Sequence, residues 1–171
     1  LSGELSYRPV VTFTYFIDYA IWRLNPFGYH LTNIILHTGN VFLLYCLIKG
    51  ISKKHTVSLF ATLLFLSHPI LTETVNAVCY REDILASLFF LLSFIFFIKV
   101  RIPYSKKGNA LPQSKTRFVL FYAVSCASYC LALFSKEMAI TLPLFLVLFD
   151  LFYPFHHKSK ASAISSTLLR M

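Results

Sequence analysis

Five apolar runs mark the chain, at residues 27–48, 56–70, 84–98, 118–134 and 139–153, with polar or basic stretches between them. The first holds 22 residues, a rise of about 33 Å as an α-helix and enough to cross the hydrocarbon core of a bilayer. The run 56–70 is short and stops at Ser67-His68-Pro69, so its far end is expected near the interface. Residues 7–24 differ in kind. They open with Pro9, suited to a first helical turn, and then mix aromatics with Asp18 and Arg23, a pattern that suits a helix lying in the interface rather than crossing it. Asn25-Pro26-Phe27-Gly28 reads as a turn. Residues 102–116 hold two prolines and a glycine without periodicity and read as a flexible connection. The expected fold is an all-α polytopic membrane protein with one outer interfacial helix and five transmembrane helices, followed by a basic cytoplasmic tail at 154–171.

Composition agrees with lipid as the solvent. Mean hydropathy is +0.66, and only 13% of residues are charged, against about 25% in soluble domains. The net charge of +9 raises nucleic acid as a partner, but its distribution excludes that class. Twelve of the sixteen Lys and Arg lie in 49–54, 99–117 and 158–170, each between or after apolar runs, as the positive-inside rule requires of cytoplasmic loops. Six of the seven acidic residues (Glu4, Asp18, Glu73, Glu82, Asp83 and Glu137) then fall on the outer side. Cys46, Cys79, Cys126 and Cys130 show no metal or redox spacing. The chain begins at Leu1 without a signal-peptide pattern, so it reads as an internal segment of a longer protein.

Two polar patterns carry candidate chemistry. His30, Asn33, His37 and Asn40 share one face of the first span. Such residues either hydrogen-bond neighbouring helices or line a wet cavity, and periodicity leaves both open. Continuing one helix through 72–87 places Glu73, Asn76, Tyr80, Asp83 and Ser87 on one face. On that reading Arg81 flanks the face, and Glu82 points elsewhere with Val75 and Val78. The face either holds a hydroxyl-rich or charged ligand or is an ordinary solvated end of a span.

Three stretches carry a family resemblance: SYRPVVTFTYFIDYAIWRLNPFGYHLTNIILH at 6–37, LFLSHPILTETVNAVCYREDILASLFF at 64–90, and LFSKEMAITLPLFLVLFDLF at 133–152. In this order they resemble the transmembrane protein O-mannosyltransferases that carry tetratricopeptide repeats, and their bacterial membrane relatives. The resemblance implies a GT-C-type glycosyltransferase that moves a hexose, mannose or similar, from a polyprenyl-phosphate donor to a protein hydroxyl at the outer membrane face. The family pattern falls on Tyr7-Arg8-Pro9, on His68, Pro69 and Glu73, on Arg81 and Asp83, and on Ser135-Lys136-Glu137. Tyr80 stands where the family usually has glycine. The family's catalytic acid belongs to a loop before Tyr7, so it is expected upstream of residue 1, and the repeats are expected beyond the C-terminus.

Transfer from a lipid phosphate needs a carboxylate to take the acceptor proton and cations to stabilise the leaving phosphate. Arg81, Arg8, Lys136 and His68 are the candidates for the donor phosphate, Arg81 foremost for its planar fork. Glu73, Asp83, Asn76 and Glu137 are the candidates for sugar or acceptor hydroxyls. The chemistry calls for no cofactor and requires no metal. The expected partners are the lipid-linked donor, a protein acceptor and the bilayer. The expected location is a bacterial inner membrane, or the endoplasmic reticulum in a eukaryote. Two other classes compete: a transporter whose path is the His30–Asn40 stripe, and a non-catalytic anchor for a repeat domain.

Overall fold

The computed structural model describes residues 7–101, 105–106, 109–110 and 115–152. Glu4, most of the 102–114 connection and the basic tail lie outside the described residues. Helix α1 spans Pro9–Trp22, α2 Pro26–Ser52, α3 His55–Leu66, α4 Pro69–Asn76, α5 Arg81–Arg101, α6 Lys115–Leu133 and α7 Leu142–Phe152. Short 3-10 turns, Val78–Tyr80 and Glu137–Thr141, precede α5 and α7. Where the connection is described, Ser105 pairs with Ala110 and Lys106 with Asn109 in a two-residue antiparallel ladder.

Local chemistry explains the first boundaries. Asn25 caps α2 by accepting from the Phe27 amide at 3.1 Å, and Pro26 takes the first helical position, where its missing N–H costs nothing. Trp22 packs over Gly28, which closes the α1–α2 corner. Three stretches are long and apolar enough to cross a membrane: Pro26–Ser52, Val78–Arg101 and Lys115–Leu133. Helices α3 and α4 qualify only together, and they bend by 57° at the break before Pro69. Pro69 has no N–H to continue the α3 ladder. The chain is a multi-span helical membrane protein.

Contacts between side chains give the helix directions. Asn33 and Asn40 of α2 meet Arg81 and Ile84 of α5 in rising order, so these helices run parallel. Asp83–Lys136, Ser93–Ser125 and Phe96–Phe121 descend along the second partner, so the segment leading out of α6 runs antiparallel to α5. Phe90–Phe145 and Phe94–Phe149 make α7 parallel to α5. Lys49, Lys54, Lys99, Arg101 and Lys115 therefore gather at one end of the bundle. Asp18, Glu82, Asp83 and Glu137 gather at the other. Asp150 lies at the basic end, where it pairs with Arg101. The core lies along α5, with Ile84, Leu85, Ala132 and Leu142 buried. Phe42, Phe60, Val119 and Val147 stay on the outer surface, as a lipid surround permits.

Two details depart from the pattern in the sequence. The run 139–153 is not one helix: Glu137–Thr141 winds as a 3-10 turn and α7 adds 11 residues, about 16 Å of rise. The helix expected through 72–87 breaks at Ala77, which is extended at φ −89 and ψ 114. Tertiary partners take carbonyls at the break. The Asn33 amide donates to Val75 O at 3.4 Å, and the Tyr15 hydroxyl to Val78 O at 2.6 Å. Glu73 and Asn76 are thereby separated from Asp83, and the five residues do not form a single helix face.

Candidate functional site

Three separated pieces of chain meet at the acidic end. Arg8, just before α1, pairs with Glu82 in the first turn of α5, and its second nitrogen lies 3.6 Å from Glu137. Lys136, in the turn after α6, reaches Asp83 at 2.5 Å and Glu82 at 3.5 Å. Among the described residues, two cations thus face three carboxylates. The α5 N-terminus favours Glu82 and Asp83, since its free amides carry partial positive charge. Burial works against the charge on Lys136, yet its hydrogen bond to Asp83 and the nearby Glu82 hold its pKa above the usual lysine value. Glu137 stays 71% exposed at its side chain, so one carboxylate of the cluster faces outward.

Below this cluster runs a groove of about 290 Å³. Asp83 and Lys136 line it together with Leu44, Phe65, Phe90 and Leu91. The site is amphiphilic, with an apolar trough joined to a charged head.

Beside the cluster sits a second, buried network. Arg81 is wholly buried; Nη1 lies 2.5 Å from Asp18 Oδ2, and Nε donates to Asn33 Oδ1 at 2.8 Å. Nη2 donates to the Tyr29 carbonyl at 3.1 Å, and the guanidinium lies 4.5 Å from the Tyr15 ring centroid. Thr32 donates to Asp18 Oδ1 at 2.8 Å. Burial, the largest influence, raises the Tyr15 pKa against the lowering effect of Arg81.

The sequence-predicted residues divide accordingly. Arg8, Asp83, Lys136 and Glu137 come together. His68, Glu73 and Asn76 lie exposed around α4 and join none of the ion pairs among the described residues. Arg81, the foremost candidate for the donor phosphate, lies buried beside the cluster, its guanidinium engaged by Asp18, Asn33 and Tyr29. Glu82 is a correction, because it bridges Arg8 and Lys136 instead of pointing away with Val75 and Val78. Asp18, Tyr15 and Tyr29 were not singled out by sequence. The available signal was Asp18 alone in an apolar helix, since a charge buried there needs a partner. Of the polar stripe, Asn33 and Asn40 are buried and bond to α5, Asn40 through Ile84 O at 2.9 Å, while His37 stacks on Phe65. Cys126 and Cys130 are free and exposed on α6. Among the described residues no three His, Cys, Asp or Glu side chains gather as metal ligands do.

No protein-family model and no solved structure matches the chain. Curated proteins do. Protein O-mannosyl-transferase TMTC1 of Mus musculus is 31% identical over 162 residues, 94% of this chain and 17% of the relative. Protein O-mannosyl-transferase tmtc2 of Xenopus laevis is 34% identical over 171 residues, 99% of this chain and 19% of the relative. Protein O-mannosyl-transferase TMTC4 of Homo sapiens is 36% identical over 154 residues, 82% of this chain and 20% of the relative. The chain therefore spans about a fifth of the length of these curated relatives. Similarity over nearly the whole chain, on segments that fold into one charged cluster, gives the assignment: this chain belongs to the protein O-mannosyl-transferase family.

Proposed function

We propose that this segment builds part of the membrane-face site of a protein O-mannosyl-transferase, which moves mannose from a polyprenyl-phosphate donor to a protein hydroxyl. The observation that carries the reading is the convergence of Arg8, Glu82, Asp83, Lys136 and Glu137 in one charged cluster, whose Asp83 and Lys136 also line an apolar groove. A lipid-linked sugar has the same division, an isoprenoid chain joined to a charged, hydroxyl-rich head. Lys136 and Arg8 are the cations of the cluster, and a phosphate arriving there exchanges with the carboxylates that now hold them. Asp83 and Glu137 accept hydrogen bonds from sugar or acceptor hydroxyls. The acceptor proton goes to an acid of the whole protein expected upstream of this segment. In the family's GT-C reading, the acidic end faces the lumen or the cell exterior. The relatives named above are animal proteins, which favours the endoplasmic reticulum over a bacterial inner membrane. The transport alternative is less favoured, because Asn33 and Asn40 of its polar stripe are used in bonding α2 to α5.

The test uses the full-length protein in nanodiscs with polyprenyl-phosphate mannose and an acceptor protein. Lys136→Met is expected to lower transfer by on the order of a hundredfold, as loss of one charge-stabilising group does, with folding retained. Transfer unchanged by Lys136→Met and by Asp83→Asn alike would remove the cluster from the site.

A further inference from the structure

Asp18 and Arg81 form the most deeply buried ion pair among the described residues, with side chains 4% and 0% exposed. The transfer chemistry above does not use them. A buried pair is weak evidence for stability as such, because desolvation offsets much of its attraction. Its placement is more informative. Arg81 is the first residue of α5, and Glu82 and Asp83 follow it directly. Its guanidinium is tied to α1 through Asp18 and the Tyr15 ring, and to α2 through Asn33 and the Tyr29 carbonyl. Thr32 of α2 holds the other oxygen of Asp18, and Tyr15 of α1 holds Val78 just ahead of α5. Successive residues of an α-helix turn by about 100°. A shift of α5 by a single residue would therefore swing both carboxylates away from Lys136 and Arg8.

We propose that the Asp18–Arg81 pair is a positioning device for the charged cluster: it sets the rotation and height of the α5 N-terminus, so that Glu82 and Asp83 face Arg8 and Lys136. The device rests on the reading of the cluster as part of the transferase site. Asp18 and Arg81 are positioning residues, acting through Glu82 and Asp83 without touching substrate.

The experiment compares Asp18→Asn, Arg81→Lys and the double variant Asp18→Leu with Arg81→Leu, each in the full-length protein in nanodiscs. The double variant keeps the site buried without charge, so it separates positioning from folding. Two readouts are taken on folded protein. One is the titration of Lys136, observed as its 13C-methylated amine and assigned with Lys136→Arg; it needs no activity. The other is kcat and KM for polyprenyl-phosphate mannose. The expected result is a Lys136 titration moved down toward that of a free lysine in Asp18→Asn and in the double variant. In the same variants kcat falls on the order of tenfold to a hundredfold, while KM changes by less than about twofold. Three results overturn the proposal: an unmoved Lys136 titration, a moved titration with kcat intact, or failure of all three variants to fold. A rise in KM with Arg81→Lys and none with Asp18→Asn also overturns it, by making Arg81 a donor contact. If the wild-type protein transfers no mannose, the proposed function fails, and the Lys136 titration still decides whether the pair orients the cluster.

Discussion

At position 28 a Cβ would lie 2.1 Å from Cγ of Trp22, so the corner between α1 and α2 closes only over glycine. Gly28→Ala is expected to cost about 1–3 kcal/mol through overpacking, read as a lower unfolding temperature in detergent. Gly50, with nothing within 4 Å of its added Cβ, is the control; Gly50→Ala should be neutral or stabilise by up to about 1 kcal/mol through helix propensity. Equal effects at the two positions would contradict the packing. Lys136 sets a pH dependence whose sign is fixed. Its folded-state pKa is raised by Asp83 and Glu82 against the lowering effect of burial. Its contribution to stability is thus complete below the unfolded value of about 10.4 and is lost as pH rises through the folded value. Tyr15, raised by burial, acts in the same direction near its ordinary value of 10.0. Unfolding temperature should stay level from neutral pH to about 10 and fall beyond it, with a shallower fall in Lys136→Met. An equally steep fall in that variant would remove Lys136 as a cause.

Between elements, α5 and α6 are joined by a reciprocal serine pair. The Ser93 and Ser125 hydroxyls each lie 2.9 Å from the other residue's carbonyl. Ser128 and Ala132 continue the same buried stripe of small residues on α6. Small side chains let helix backbones approach closely, and hydrogen bonds between helices in a membrane average only about 0.6 kcal/mol. Ser125→Ala should therefore change stability by less than about 1 kcal/mol. Ser125→Leu should cost more, on the order of 1–3 kcal/mol, by forcing the helices apart. A larger loss in the alanine variant would mean that the hydrogen bonds dominate. The break between α4 and α5 lies at the same scale. Helical periodicity continues through 72–87, but Asn33 and Tyr15 offer the backbone at Val75 and Val78 partners outside the helix. No local pattern contains those partners, which stand 42 and 63 residues away.

Over the whole molecule, charge is sorted end to end. The alternating helix directions carry Lys54 to the basic end and Asn76 and Glu137 to the acidic end, and all three side chains are exposed. With the acidic end in the lumen or outside the cell, cysteines at Asn76 and Glu137 should react with an impermeant maleimide from that face. A cysteine at Lys54 should react only from the cytoplasmic face. These assays use sealed membranes and a background freed of other reactive cysteines. Labelling of all three positions from one side would overturn the arrangement.

The sequence by itself determined the helical class, the membrane and the sorting of charge, and its family resemblance marked Arg8, Asp83, Lys136 and Glu137. The first three are written in local terms, run length and loop charge, and the resemblance in short motifs along one helix or turn. It also marked the Asn33 and Asn40 face, leaving open what that face meets. Only the tertiary structure decided that these asparagines bond to α5, that Arg81 turns inward to Asp18 while Glu82 joins the cluster, and that His68, Glu73 and Asn76 stand apart. For the asparagines, Arg81 and Glu82 the physical reason is the same. A charge or amide taken out of water takes whichever partner packing brings to it, and here those partners stand tens of residues away along the chain.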